Sequence, residues 1–264
     1  MADTLRTLFL GDIVGQPGSR AVFVYLQDVK KKYSIDFTIA NGENAAAGFG
    51  ITPDLANQFF STGIDVITSG NHIWQKREVL DMLNNDVRLL RPANYPASVP
   101  GKGIGVYEQK GVKVAVVNLQ GRKRLQSANC PFKQAMDIHR SLKSETKIII
   151  FDFHAEAPDE KEALGLYLDG KASLFVGTHT HVQTADERIL PKGTGYITDL
   201  GMTGPVPSVI GFNPEIAVRR NLTQMPLKME VADSPAVLQG VVAEIDINSG
   251  KTVDIFRINE HAHI

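Results

Sequence analysis

Cysteine is almost absent from this chain, since Cys130 is the only one among 264 residues. A single thiol cannot form an intramolecular disulfide, so a disulfide-rich secreted scaffold is excluded and we expect a cytoplasmic protein. Long apolar runs are missing too, because no stretch approaches the roughly 20 residues of a membrane-spanning helix. The apolar run at residues 8–10 is interrupted by Asp12, so we expect neither a signal peptide nor a membrane partner.

The chain also has almost no net charge. Its 28 basic and 29 acidic residues give a formal charge of −1 at pH 7, so no overall field attracts nucleic acid or an anionic membrane. Any polyanion must therefore bind at a local site. With 43% apolar and 22% charged residues, the composition is that of an ordinary globular protein. Without repeats or an evident linker, we expect residues 1–264 to form a single domain.

What the sequence does contain is an alternation of strand and helix patterns. Apolar runs typical of buried strands occupy residues 7–10, 35–40, 65–68, 112–119, 147–153 and 174–176. Helices are predicted between most of them, with Ser19 as N-cap of the first and Pro53 in the first turn of the second. After residue 185 the pattern predicts only short strands and Gly/Pro-rich loops. Mixed sheets flanked by helices, an α/β fold, are the expected result.

Polar clusters follow five of the predicted strands. They are Gly11-Asp12, Asn41-Gly42-Glu43-Asn44, Gly70-Asn71-His72, His154 and Gly177-Thr178-His179-Thr180-His181. Loops at the carboxyl ends of strands in an open α/β sheet line one crevice, so we expect these side chains to converge. His179 and His181 are two residues apart, and in an extended segment both imidazoles would project to the same side.

This set of donors suits a pair of divalent ions. Mixed nitrogen and oxygen donors without thiolate favour iron, manganese or zinc. Two such ions against the carboxylates Asp12 and Glu43 leave a surplus of about two positive charges, which attracts a phosphodiester anion. Paired ions indicate hydrolysis of phosphate esters, with a hydroxide held between the ions as nucleophile.

Each cluster alone has a plainer explanation. The Asn71-His72 pair after a glycine could be a turn, and His154 could be a hydrogen-bonded core histidine. The segment 179–181 could be a solvated loop. Because the clusters occur together, in order and each at a strand end, the metal site is the favoured interpretation.

These motifs resemble the calcineurin-like metallophosphoesterases, and more closely their YmdB-like branch. The Gly-Asn-His sequence at residues 70–72 and the Gly-x-His-x-His sequence at residues 177–181 are typical of the superfamily. The Asn-Gly-Glu-Asn sequence at residues 41–44 and the Thr-His-Val-Gln-Thr-Ala-Asp sequence at residues 180–186 indicate the branch. The resemblance extends over most of the chain.

The resemblance implies a calcineurin-like four-layer α/β/β/α sandwich with two mixed sheets. It implies two bound ions, iron or manganese, with ligands as follows: Asp12, Glu43, Asn44 and His181 for the first, and Glu43, Asn71, His154 and His179 for the second. Glu43 would be shared, and His72 would protonate the leaving-group oxygen. The implied activity is hydrolysis of 2',3'-cyclic nucleotides at the 2'-bond, and of related phosphodiesters.

The chain departs from the wider superfamily at two positions. The usual Asp-x-His opening is Asp12-Ile13-Val14 here, and the usual bridging aspartate is Glu43. The resemblance therefore implies that Asn44 supplies the missing ligand.

Two other functions stay open. One is a phosphomonoesterase or nucleotidase on the same site, and the other is a regulatory protein that binds a nucleotide or RNA with little turnover. The basic residues 121–124 could bind RNA phosphates, although a solvated loop is favoured. Trp74 is expected to pack beneath the site rather than stack on a base. We expect a small phosphodiester as substrate, RNA as the alternative partner, and a homo-oligomer.

Overall fold

The computed structural model describes residues 3–262. The strands of this range, in chain order, are β1 (Thr4–Leu10), β2 (Asp12–Ile13), β3 (Phe37–Asn41), β4 (Val66–Thr68), β5 (Ile104–Gln109), β6 (Val112–Gln120), β7 (Ile148–His154), β8 (Leu174–Thr178), β9 (Arg188–Ile189), β10 (Gly195–Ile197), β11 (Met202–Pro205), β12 (Ala236–Asp246) and β13 (Thr252–Ala262). Its helices are α1 (Gly15–Tyr33), α2 (Pro53–Thr62), α3 (Leu80–Asn85, after a 3-10 turn at Arg77–Val79), α4 (Pro131–Leu142), α5 (Pro158–Tyr167) and α6 (Pro214–Thr223).

The strands form two mixed sheets. The first has the order β2-β11-β12-β1-β3-β4, and β13 pairs with β12. Strands β1, β3 and β4 are parallel, whereas β12 is antiparallel to both β1 and β13. The second sheet has the order β5-β6-β7-β8-β10-β9, with parallel pairs in its centre and an antiparallel pair at each edge.

The two sheets pack against each other, and helices cover their outer faces. Side chains alternate along β1, because successive residues of a strand point to opposite faces. Leu5 and Phe9 join the core between the sheets, while Leu8 and Leu10 pack with residues of α1, α2 and α3. Helices α4 and α5 cover the second sheet through residues such as Ala135 and Leu164. The predicted α/β/β/α sandwich with two mixed sheets is confirmed.

Two details of the sequence prediction are wrong. Ser19 is not an N-cap: α1 already begins at Gly15, whose φ of 59° suits glycine, and the Ser19 hydroxyl donates to Gly15 O (2.9 Å). Helix α6 was not predicted, because Ala217 is its only buried residue and its apolar periodicity is weak. Its start does carry a local signal, since the Asn213 side chain accepts from Glu215 N.

The helices of residues 3–262 include none with the length and apolar character to cross a membrane.

Candidate metal centre

The predicted ligands lie at the carboxyl ends of strands from both sheets. In the first sheet, Asp12 follows β1, the Glu43-Asn44 pair follows β3 and the Asn71-His72 pair follows β4. In the second sheet, His154 is the last residue of β7, and the segment 179–181 follows β8. The predicted position at strand ends is confirmed, and it brings together residues separated by up to 169 positions in the chain.

Three donor atoms lie around Nε2 of His154. This nitrogen lies 2.8 Å from Oε1 of Glu43, 3.0 Å from Nδ1 of His179 and 3.2 Å from Oδ1 of Asn71. Ligands bound at about 2.1 Å to one ion lie roughly 3–3.5 Å from each other, so the spacing is that of a coordination shell. Gly70 permits this approach, because a Cβ there would lie 2.0 Å from the His154 ring.

A second group of donors lies at Asp12. Its Oδ1 is 3.6 Å from Nε2 of His181, and the amide nitrogen of Asn44 lies 3.2 Å from Asp12 Oδ1 and 3.1 Å from His181 Nε2. A 180° rotation of that amide places its oxygen in the same position. Glu43 makes no ion pair with His181 among residues 3–262, so its role as the shared ligand stays a prediction, as do the other ligand assignments.

The charges of this site fit bound cations. Burial alone would raise the pKa of Asp12, but its interactions with His181 and His154 hold that pKa far below the usual range. Glu43 is likewise buried, and the charge of His154 lowers its pKa below the ordinary value. Burial opposes a proton on His154, yet Glu43 and Asp12 raise its pKa to about 9. Without a metal ion, the proton on His154 offsets part of the negative charge of Asp12 and Glu43. A bound metal ion would offset the same negative charge.

One orphaned atom supports the same interpretation. Oε1 of Glu43 is buried and makes no aligned hydrogen bond within residues 3–262, although His154 Nε2 is only 2.8 Å away. Burial and the charge of His154 lower the pKa of His179 to about 3, so this imidazole is neutral at neutral pH. Glu43 Oε1 and the neutral imidazole of His179 are donors of the kind that bind a divalent metal.

Residues behind His154 fix the orientation of its ring, and this role was not predicted from the sequence. The Thr178 hydroxyl donates to Asp152 Oδ1 (2.7 Å) and lies 3.0 Å from His154 Nδ1. The amide of Asn41 lies 3.4 Å from the same ring nitrogen. Burial raises the pKa of Asp152 to about 7. Such outer partners set the direction of a histidine ligand. Asp152 lies two residues before His154 in a buried strand, and a charged residue there could have indicated this role from the sequence.

Glu156 has the corresponding position behind His179. Its Oε2 lies 3.2 Å from Nε2 of His179, whereas Nδ1 of the same ring faces His154. The carboxylate therefore orients the ring from the side away from the donor cluster. Glu156 follows His154 by two residues in the sequence, and this role was not predicted for it.

We expect Glu156→Ala to weaken metal binding by about 10- to 100-fold, because an outer-shell carboxylate fixes the tautomer and direction of a ligand histidine. Titration of metal-free protein with Mn²⁺ by calorimetry measures the effect. Glu162→Ala is the matched control, since Glu162 pairs with Arg188 at the surface. Equal Mn²⁺ affinity of the Glu156 variant and the wild type would contradict the positioning role.

The segment 179–181 is not extended, and this expectation was wrong. His179 has φ 104° and His181 has φ 63°, both in the left-handed region that non-glycine residues adopt at a cost of about 1–3 kcal/mol. The bend sends the two imidazoles apart: His179 Nδ1 faces His154 and His181 Nε2 faces Asp12. One short segment thus contributes to both donor groups.

A buried ion pair holds this bend. Asp199 Oδ2 accepts from Thr180 N (3.2 Å) and pairs with Lys161 Nζ (2.6 Å). Both charged side chains are at most 1% exposed. Two further bonds fix the bend, because His179 N donates to Asp12 Oδ2 (3.1 Å) and His181 Nδ1 lies 2.8 Å from Ile210 O.

A cavity of about 280 Å³ opens onto the donor groups. His72 lines it, and the His72 backbone N–H donates to Glu43 Oε2 (2.9 Å). Its Nδ1 is buried without a hydrogen-bond partner in the described chain. Burial lowers the pKa of His72, while the charge of Glu43 opposes that shift. The loop between β11 and α6 contributes Ile210 and Phe212 to the lining.

Other residues singled out in the sequence have structural roles. Trp74 packs edge-on against Tyr95, as expected. In the basic segment, Lys123 pairs with Asp159 and the backbone N–H of Arg122 donates to Glu160, so this segment is an anchored surface loop. A larger cavity of about 490 Å³ lies elsewhere and includes none of the predicted ligands.

Two mixed sheets between helical layers, with carboxylate, amide and imidazole groups gathered at strand ends, define a calcineurin-like phosphoesterase. The "Putative 5'-Nucleotidase" of Staphylococcus aureus shares the fold, with a TM-score of 0.61 at 13% identity over 98% of this chain and 54% of that one. The family model "YmdB-like protein" matches residues 8–258. The chain belongs to this family, so the predicted branch is confirmed.

Two relatives are similar over nearly their whole length. A Bacillus subtilis (strain 168) protein named 2',3'-cyclic-nucleotide 2'-phosphodiesterase is 48% identical over 254 residues, which are 96% of each chain. The solved structure of a "novel phosphatase" from Mycoplasma pneumoniae has a TM-score of 0.92 at 36% identity, over 100% of this chain and 96% of that one. Both names support a phosphoesterase.

Proposed function

We propose that this chain is a dinuclear metal-dependent phosphodiesterase that hydrolyses 2',3'-cyclic nucleotides and related phosphodiesters. The observation that carries the proposal is the donor shell of Glu43, Asn71 and His179 within 3.2 Å of His154 Nε2. The B. subtilis relative, 48% identical, is named for this activity. Cleavage of the 2'-bond releases the 2'-oxygen and leaves a nucleoside 3'-phosphate.

The ligand roles follow the two donor groups. Asp12, Asn44 and His181 would hold one ion, and Asn71, His154 and His179 the other, with Glu43 shared. Bound there, two divalent ions lower the pKa of water and polarise the phosphoryl oxygen. The nitrogen and oxygen donors suit iron or manganese, which we propose as the native metals.

His72 would act as the general acid. Its backbone is fixed by Glu43 Oε2, and its buried Nδ1 has no hydrogen-bond partner among residues 3–262. A side chain in this position can give a proton to the 2'-oxygen as the bond to phosphorus breaks. Burial lowers the pKa of His72, and the carboxylates Glu43 and Asp12 oppose that shift.

Glu43→Gln tests the proposal. The neutral amide removes one of two buried anionic donors, so we expect metal content to fall and hydrolysis of a cyclic nucleotide to fall at least about 100-fold, more than loss of an outer partner causes. Elemental analysis and product assays measure both quantities, with Glu145→Gln at a surface ion pair as control. Full metal content with unchanged hydrolysis in the Glu43 variant would refute the assignment.

A phosphomonoesterase on the same site is the second candidate, because the M. pneumoniae relative is called a phosphatase. Assays of aryl phosphate monoesters and diesters on the same preparation separate the two activities. Tight nucleotide or RNA binding without turnover by metal-loaded protein would instead indicate a regulatory binding protein.

We also propose that residues 1–264 act as one cytoplasmic metallophosphoesterase domain, because both sheets contribute donors to one site. A homo-oligomer is proposed on a separate observation: helix α6 exposes Val218 (52%) and Leu222 (80%), and exposed apolar faces of this kind are often covered by a partner. A single-chain mass in light scattering would contradict the homo-oligomer.

A further inference from the structure

An apolar wall borders one side of the candidate metal centre. We define this wall by Phe49, Ile210 and Phe212, which line the same cavity as His72. Phe49 is 37% exposed and Ile210 is 46% exposed, although both are large apolar side chains. Apolar and aromatic groups in the lining of a ligand cavity provide contact area for the bound molecule.

The wall is fixed relative to the candidate ligands. Gly48 N, directly before Phe49, donates to Asn44 O (3.1 Å), and Ile210 O lies 2.8 Å from His181 Nδ1. The ring of Phe212 supports that of Phe49, with 5.8 Å between centroids and 28° between planes. A surface held in this way is pre-organised, so little conformational entropy is lost when a ligand covers it.

The wall begins where the leaving group must lie. The ring centroid of Phe49 is 5.1 Å from that of His72, with the planes at 79°. Under the proposed function, on which this inference rests, His72 contacts an oxygen of the ribose. A base on the same ribose lies one sugar ring from His72 and therefore within reach of Phe49.

The charge of the cavity favours a base over further phosphates. None of the described residues that line it is lysine or arginine, and Glu156 adds a carboxylate. An RNA backbone or a polyphosphate needs cations along its path, whereas a base needs an apolar or aromatic surface. The lining thus suits a nucleoside with one phosphate group.

We propose that the apolar wall is a nucleobase subsite, which makes nucleoside 2',3'-cyclic phosphates better substrates than cyclic phosphates without a base. Contact through rings does not depend on the hydrogen-bonding edge, so the subsite accepts purines and pyrimidines alike. Trp74 takes no part, because its ring packs on Tyr95.

Phe49→Leu tests the subsite with two probes that differ only in the base. We expect KM for adenosine 2',3'-cyclic phosphate to rise roughly 5- to 100-fold, the factor that corresponds to loss of one base–aromatic contact. KM for methyl β-ribofuranoside 2,3-cyclic phosphate is expected to stay unchanged. Phe49→Trp should retain the wild-type preference, and Phe256→Leu is the control, because Phe256 is also 37% exposed but lies on β13.

Binding of adenosine 3'-phosphate, measured by calorimetry, gives a readout that needs no turnover. Weaker binding by Phe49→Leu supports the subsite even if the wild type hydrolyses neither probe, an outcome that would refute only the proposed function. Equal losses for the base-bearing and base-free probes would show a structural role and overturn the inference. Tighter binding of an RNA oligonucleotide than of adenosine 3'-phosphate would also overturn it.

Discussion

Replacing His72 by alanine is expected to lower the turnover of 2',3'-cyclic nucleotides by about 10²- to 10⁴-fold, the usual contribution of a positioned general acid. The ribose 2'-oxygen is a poor leaving group and needs a proton as its bond to phosphorus breaks. His72 lines the cavity, and its Nδ1 is buried without a partner in the described chain. The variant should keep its metal, since no donor atom around His154 Nε2 belongs to the His72 side chain.

Comparing diesters with different leaving groups distinguishes loss of the general acid from general damage to the site. A diester of p-nitrophenol releases a weakly basic anion, so the His72 variant should hydrolyse it nearly as fast as the wild type does. His139→Ala is a control for loss of a histidine, because His139 lies on α4 outside the cluster. Undiminished turnover of a cyclic nucleotide, or an equal loss with both kinds of diester, would contradict the general-acid role.

The location of the site could be predicted because the sequence pattern that indicates it is local. A polar residue directly after a buried apolar run lies at a strand end, and parallel strands bring their ends together. Asp12, Glu43 and His154 all obey this rule. The α/β/β/α layers were predicted from the resemblance to the family. The structure agrees, because Leu5 and Phe9 pack in the core between the sheets while Leu8 packs in the core beneath the helices.

The supporting residues could not be predicted, because their roles come from contacts between distant segments. Lys161 lies on α5, and from the local sequence a lysine there is expected at the surface. Its burial depends on the ion pair with Asp199, which is distant in sequence. Phe49 and Phe212 are 163 positions apart, and nothing in either local sequence indicates that their rings meet. The left-handed φ of His179 and His181 is also a tertiary effect, since the hydrogen bonds that offset its cost involve Asp12, Asp199 and Ile210.

Lys161→Met is expected to lower the free energy of unfolding by about 3–5 kcal/mol, the cost of leaving one partner of a buried ion pair unpaired. Asp199 would keep its bonds from Thr180 N and Gly201 N but lose the buried ammonium group that pairs with it at 2.6 Å. For a protein whose total stability is on the order of 5–15 kcal/mol, such a loss is severe.

The bend at Thr180 connects this ion pair to the metal centre. Because Asp199 holds the backbone between the two histidines, we expect the Lys161 variant to bind less metal at temperatures where it is still folded. Denaturant unfolding monitored by circular dichroism measures stability, and elemental analysis measures metal content.

Lys113→Met is the matched control: its partner Glu145 is exposed, and a surface pair contributes at most about 1 kcal/mol. The double variant with Asp199→Asn should recover part of the stability, since no unpaired charge remains buried. If Lys161→Met unfolds at the same denaturant concentration as Lys113→Met, the buried pair does not hold the bend in the way the structure indicates.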